Sequence, residues 1–170
     1  MTSRNDVLNR VTNQAQYDPV KRAKEVAKIV CSNDLRKYYR FRPARFYGGI
    51  ATADCVGCCL RCIFSWSWRQ VAKPQTYGHF YSPHDVAKEL TKIARKKRFK
   101  RLRISGNEPT LGRDHLLGIL QFIPQDLHFI LETNGILIGH VRRNQEKREI
   151  PFFSMNTSPP TQTNGHFFLQ

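Results

Sequence analysis

Residues 55–65 read Cys-Val-Gly-Cys-Cys-Leu-Arg-Cys-Ile-Phe-Ser, and Cys55, Cys58, Cys59 and Cys62 are four of the five cysteines in the chain. Four thiols within eight residues are too crowded for a disulfide framework. In a reducing compartment such a cluster points to a metal or redox site. The N-terminus agrees with that compartment: Arg4, Asp6 and Arg10 stand where a signal peptide needs an unbroken apolar run, so the protein is expected to be cytoplasmic. Cys31 stands apart and is read as an ordinary buried thiol.

Working outward from the cysteines, Arg45 to Ala53 reads as a strand ending in the loop that carries them. Upstream, Arg36 to Arg45 alternates bases with Tyr38, Tyr39 and Phe41. Before it, Asp18-Pro19 is an N-cap with proline at N1, and Val20, Ala23, Val26, Ala27 and Val30 recur at helical spacing, which predicts an amphipathic helix from Pro19 to about Cys31. Downstream, Ser82-Pro83-His84-Asp85 is a capping-box start for a helix that buries Val86, Ala87, Leu90, Ile93 and Ala94. Lys92, Arg95, Lys96, Lys97 and Arg98 favour the C-terminal end of its dipole. A short strand around Leu102 and Ile104 ends at Ser105-Gly106-Asn107-Glu108-Pro109, a second helix follows over about Arg113 to Ile123, and Leu127 to Leu131 is a further strand closed by Glu132-Thr133-Asn134-Gly135.

This order of strand, loop and helix argues an α/β fold with parallel strands and crossover helices. In such sheets ligands sit beyond the carboxyl ends of the strands. The cysteines, Ser105 to Pro109 and Glu132 to Gly135 all occupy that position.

Composition sets the outer limits. The 170 residues carry 28 Lys and Arg against 13 Asp and Glu, a formal net charge of +15, yet 40% are apolar, which excludes a wholly disordered basic tail. No apolar run approaches the roughly 20 residues needed to cross a bilayer, so no membrane association is expected. Residues 1–16 show no sustained periodicity, and 1–44 as a whole is read as a basic N-terminal helical arm. Residues 140–170 show a charged stretch followed by a run of Asn, Ser, Thr, Gln and Pro, read as an irregular, disordered tail.

Three segments together carry a resemblance. Cys55, Cys59 and Cys62 fit Cys-x3-Cys-x2-Cys, the signature of the radical S-adenosylmethionine (radical SAM) superfamily; Ser105-Gly106-Asn107-Glu108-Pro109 resembles its Gly-Gly-Glu-Pro loop; and Leu131-Glu132-Thr133-Asn134-Gly135 is similar to a strand end in proteins like pyruvate formate-lyase activating enzyme. The resemblance covers roughly Arg45 to Gly139. It implies a partial (βα) barrel of the radical SAM type, of which 45–139 would be the N-terminal half, truncated because about six units of on the order of 30 residues each would not fit. It implies a 4Fe-4S cluster held by cysteine thiolates with one iron left to S-adenosyl-L-methionine. It further implies reductive cleavage of that cofactor to a deoxyadenosyl radical, with an electron donor such as a ferredoxin or flavodoxin and a substrate the sequence does not identify. Ser105, Gly106, Asn107, Glu108, Pro109, Thr133 and Asn134 would be cofactor-binding.

Two registers compete for the cluster. Many relatives read Cys-Asn-Leu-Arg-Cys-x-Phe-Cys, and Cys58 to Ser65 matches that string with Cys59 at the Asn position and Ser65 at the third cysteine. Only this second register puts an aromatic residue, Phe64, where the resemblance implies packing near the adenine. It is the better statement of ancestry, and it leaves the triad one thiolate short. A serine alkoxide is a much poorer partner for iron than a thiolate, because its proton is far harder to remove. Cluster chemistry is therefore expected to be impaired unless the loop uses Cys55, Cys59 and Cys62.

Two readings from other classes stand beside this one. A structural zinc site would need a second, distant pair of ligands, which the four clustered cysteines do not supply. Nucleic-acid binding draws on the eight basic residues among the twelve from Lys92 to Arg103 and on the aromatic and basic mixture of Arg36 to Arg45.

Overall fold

The computed structural model describes residues 17–62 and 64–138, together with the backbone of one further strand at Ser154–Met155. The expected arm over 1–16 and the expected tail over 140–170 lie outside the described residues, that strand excepted.

Helix α1, Pro19–Val30, begins as its sequence dictates: the Asp18 carboxylate accepts from the amides of Val20 and Lys21 at 2.8 and 3.1 Å, and Pro19 fills N1. It buries Ala23, Val26 and Val30. The chain turns straight into β1, Cys31–Ser32, then through Asn33 at φ 53° into β2, Leu35–Ala44. The alternating bases and aromatics of this segment are thus a ten-residue strand.

The strand expected over Arg45 to Ala53 starts later. Phe46–Gly48 forms a short 3-10 turn, and β3 runs Ile50–Cys55, so Cys55 closes the strand rather than opening the loop. Glycine causes the delay. Gly48 and Gly49 hold φ of 74° and 117°, and a Cβ on Gly49 would sit 2.5 Å from the Phe99 ring. After the cysteine loop come a one-turn helix α2, Trp68–Ala72, and a short strand β4, His79–Tyr81.

The two crossover helices appear where the capping and periodicity place them. In α3, Pro83–Lys97, the Ser82 hydroxyl accepts from the Asp85 amide at 3.1 Å and donates to the Asp85 carboxylate at 2.7 Å. The helix stops at Arg98, which adopts the left-handed conformation at φ 58°. Strand β5, Arg101–Ser105, a 3-10 turn at Pro109–Gly112, helix α4, Arg113–Phe122, and strand β6, His128–Leu131, follow.

The sheet runs β1-β2-β3-β5-β6-β7, with β7 the Ser154–Met155 strand and β4 paired to β2. β3, β5, β6 and β7 are mutually parallel, and β1, β2 and β4 add antiparallel pairs on one side. This is the expected partial α/β barrel, with an antiparallel extension that the sequence reading did not specify. A strand beyond Gly139 is a further addition.

Register divides the sheet into two unlike faces. Ala51 lies beside Leu102 and Leu102 beside Phe129; two residues on, Ala53 lies beside Ile104 and Ile104 beside Leu131. These side chains meet Val86, Leu90 and Ala94 of α3 and Leu116 and Ile119 of α4 in the main core. Thr52 beside Arg103 and Asp54 beside Ser105 point the other way.

Candidate functional site

The three loops beyond β3, β5 and β6 are tied together by hydrogen bonds. The Gly57 amide donates to the Asn107 side-chain oxygen at 2.8 Å, and the Glu108 amide donates to the Gly57 carbonyl at 3.0 Å. The Glu108 carboxylate, only 1% exposed, takes the Thr110 amide at 3.0 Å, the Thr110 hydroxyl at 2.5 Å and the Thr133 hydroxyl at 2.6 Å on Oε1, and the Asn134 amide at 2.8 Å on Oε2. Four donors from two loops make this buried carboxylate a strut between the second and third loops. Pro109 opens the 3-10 turn that follows. Gly106, at φ 96°, runs against the backbone of Asp54 and Cys55, where an added Cβ would meet atoms at 3.0 Å.

Asn134 carries the arrangement to the thiols. Its side-chain amide donates to Cys58 Sγ at 3.6 Å and to Cys59 Sγ at 3.3 Å, and the Leu60 amide also donates to Cys58 Sγ at 3.3 Å. The Cys58 and Cys59 side chains also hydrogen-bond to one another. That bond pushes the Cys58 thiol well above the ordinary range, and burial adds to it. The same bond, with Asn134, lowers the Cys59 pKa against the effect of burial. Asn134 and Cys59 therefore meet, with Thr133 and Glu108 behind them.

Cys55 sits apart from the paired thiols, although the Asn107 amide reaches its sulfur. It is fully buried in the main core, whereas Cys59 packs with Val26, Val30 and Leu111 in a second cluster against α1. Burial raises the Cys55 pKa to about 11, against the opposing pull of the nearby Arg36 charge. Cys62 is half-buried, and its carbonyl accepts from the Ser65 amide at 3.2 Å. The Ser65 hydroxyl lies 3.4 Å from that of Ser67, which donates to the Gly106 carbonyl at 2.9 Å and accepts from Asn107 at 2.8 Å. Phe64 is 75% exposed.

The donor chemistry suits iron, but its arrangement does not complete a three-thiolate set. Among the described residues no three His, Cys, Asp or Glu side chains converge on a point that could hold a metal ion. Cys58 and Cys59 converge, Cys55 packs into the core, and the residue at the third position of the second register is a serine.

A second group of polar side chains went unremarked as a site in the sequence. Asp54, with its side chain fully buried, accepts from Arg40 Nε at 2.7 Å and from Arg42 Nε at 2.8 Å. Beside it, Glu132 accepts from Arg103 at 2.6 Å and from the Ser105 hydroxyl at 2.7 Å, so Ser105 is held by Glu132. The signal was a lone carboxylate in the apolar strand Ile50–Cys55, with arginines two residues apart in β2 and β5. Trp66 and Trp68, which follow the cysteine loop, are more than half exposed.

No helix among the described residues is long and apolar enough to cross a membrane. No curated protein and no solved structure matches this chain. Residues 54–159 match the family model of the Radical SAM superfamily, starting at the penultimate residue of β3 and running past Gly139 beyond β7. With the match spanning more than half of the chain and the cysteine, Glu-Pro and Thr-Asn-Gly segments joined at the carboxyl ends of the parallel strands, the protein belongs to the radical SAM superfamily.

Proposed function

We propose that this chain is a radical SAM-type protein that binds S-adenosyl-L-methionine at the carboxyl edge of its sheet and whose iron–sulfur assembly is impaired by Ser65. The superfamily's chemistry is reductive cleavage of S-adenosylmethionine by a 4Fe-4S cluster, fed by a donor such as a ferredoxin or flavodoxin. The observation that carries the proposal is the linkage of Cys58 and Cys59 through Asn134 and Thr133 to Glu108, which gathers the three family segments into one place. The Thr133-Asn134-Gly135 strand end also supports the likeness to pyruvate formate-lyase activating enzyme. Impairment follows from the donor set: a serine hydroxyl turned toward Ser67 stands where a third thiolate belongs, and the thiol that could replace it, Cys55, is shut in the core.

Anaerobic reconstitution of the wild type beside Ser65→Cys, Cys58→Ala and Cys55→Ala tests this. The wild type should take up well under four irons per chain, Ser65→Cys should approach about four with a matching rise in visible absorption, and Cys58→Ala should lose most iron from either background. Cys55→Ala should change iron content little. Full iron loading and dithionite-dependent cleavage by the wild type would overturn the impairment. Colourless protein that takes zinc in place of iron would overturn the cluster reading altogether.

A further inference from the structure

The concave face of the sheet, opposite the helices, carries an ordered set of arginines interleaved with exposed aromatic rings. Arg40 is anchored by its Nε on Asp54, and its guanidinium lies 5.5 Å from the ring centroids of both Tyr39 and Trp66. The bulge in β2 between Tyr38 and Arg40 brings Tyr39 and Arg40 next to each other at this spot. No hydrogen-bond partner among the described residues takes the two terminal nitrogens of Arg40, and its side chain is 41% exposed. Along the same face Arg103 lies 4.9 Å from the Phe46 ring centroid, next to Tyr47, whose hydroxyl reaches Glu132 at 3.4 Å. Trp66, Phe46 and Tyr47 are all at least two-fifths exposed.

We infer that this face binds single-stranded nucleic acid, with bases stacking on Trp66 and phosphates held by Arg40 and Arg42. Two features select that partner. Three guanidinium groups, those of Arg40, Arg42 and Arg103, stand over two carboxylates, Asp54 and Glu132, so the face keeps a net positive charge on a chain of formal charge +15. Flat aromatic faces beside planar cations serve alternating bases and phosphates, whereas an acidic peptide would leave the rings without a use. Arg40 is already oriented by Asp54 and its flanking rings, so little side-chain freedom is lost when a phosphate binds. The basic run at the end of α3 is different: its side chains lie on a solvated helix end without accompanying exposed rings.

This inference goes beyond the proposed cofactor chemistry and needs neither iron nor S-adenosylmethionine, so the two fail separately. The test is a titration of the full-length protein with an oligouridylate and an oligothymidylate of about 15 nucleotides, read by tryptophan fluorescence and by anisotropy of a labelled strand. Trp66→Ala should weaken binding about tenfold while leaving the slope of affinity against salt unchanged. Arg40→Gln should lower that slope by about one phosphate contact. Lys96→Gln with Lys97→Gln on α3 should lower affinity by less than Trp66→Ala does. Circular dichroism confirms that each variant is folded, as the exposure of Trp66 and Arg40 leads one to expect. Unchanged affinity in Trp66→Ala, or a larger loss from the α3 pair, would reduce the binding to nonspecific attraction and overturn the inference. So would equal affinity for a duplex of the same length, whose bases cannot stack on the rings.

Discussion

Adjacent residues of one strand, Ala53 and Asp54, open onto surroundings that share almost nothing. Ala53 faces a closed apolar layer in which Leu90, Ile104, Leu116 and Ile119 are fully or almost fully buried. Asp54 faces a sheet surface lined by arginines and carboxylates. The alternation of a β-strand delivers one residue to each side, so a strand of six buried residues is still two-sided in chemistry. Stability should reside on the helix side and recognition on the concave side.

The largest effect that this division predicts is on the helix side. Leu90 is fully buried where α3 meets the sheet, so Leu90→Ala removes its contacts and leaves a cavity, a loss of about 4 kcal/mol. Chemical denaturation measures it directly. A loss under about 1 kcal/mol would mean that the helix layer is loosely packed and would remove the basis of the comparison.

His115 gives the helix side a pH signature. It is buried on α4, with Nδ1 at 2.6 Å from the Asp34 carbonyl and Nε2 at 3.1 Å from the Tyr38 hydroxyl, an arrangement that a neutral ring satisfies as donor at one nitrogen and acceptor at the other. Burial foremost, and the Arg36 charge beside it, lower its pKa to about 4, against the pull of the Asp34 carbonyl. The unfolded chain takes up this proton near pH 6.5 and the folded chain only near 4, so the contribution is present above pH 6.5 and lost as pH falls through that window. Its full size is about 3 kcal/mol. Denaturation midpoints for the wild type and His115→Gln at pH 7 and pH 4.5 check it: the wild type should fall more steeply between the two. Parallel slopes would place His115 outside the closed layer.

How far the sequence foretold this division depends on the kind of signal each side carries. The helix side was legible because its rules are local: Asp18-Pro19 and Ser82-Pro83 fix helix starts, apolar spacing fixes the buried stripe, and both helices appear within a residue or two of their expected bounds. The site segments were legible for the same reason, being short strings at strand ends. What the sequence could not supply was orientation across the sheet. Cys55 and Cys58 are three residues apart and equally cysteine, yet strand β3 runs two residues further than expected and turns Cys55 into the main core. Likewise Arg40 and Arg42 read as one basic stretch and Arg103 as part of another until pairing with β3 puts them around Asp54 and Thr52. Strand β2 itself escaped because its alternation of bases and aromatics lacks a purely polar face, both faces being partly covered.

The smallest effect is the one that tests the concave side. Asp54→Asn keeps the shape of a fully buried side chain and removes the charge that Arg40 and Arg42 share. Breaking a buried ion pair is costly when the remaining charges are left without water, but these two guanidinium groups are 41% and 24% exposed and recover hydration. The expected loss is therefore about 1 kcal/mol, well below that of Leu90→Ala, since the exposed partners screen most of the interaction. The same substitution frees Arg40 from its anchor, so it should weaken oligonucleotide binding by loosening the guanidinium even as it makes the face more positive. Attraction governed by net charge alone would change in the opposite direction and strengthen binding. Measured together, a small loss of stability with weaker binding marks Asp54 as the residue that orients the arginines, while tighter binding would show that the concave face acts only through its charge.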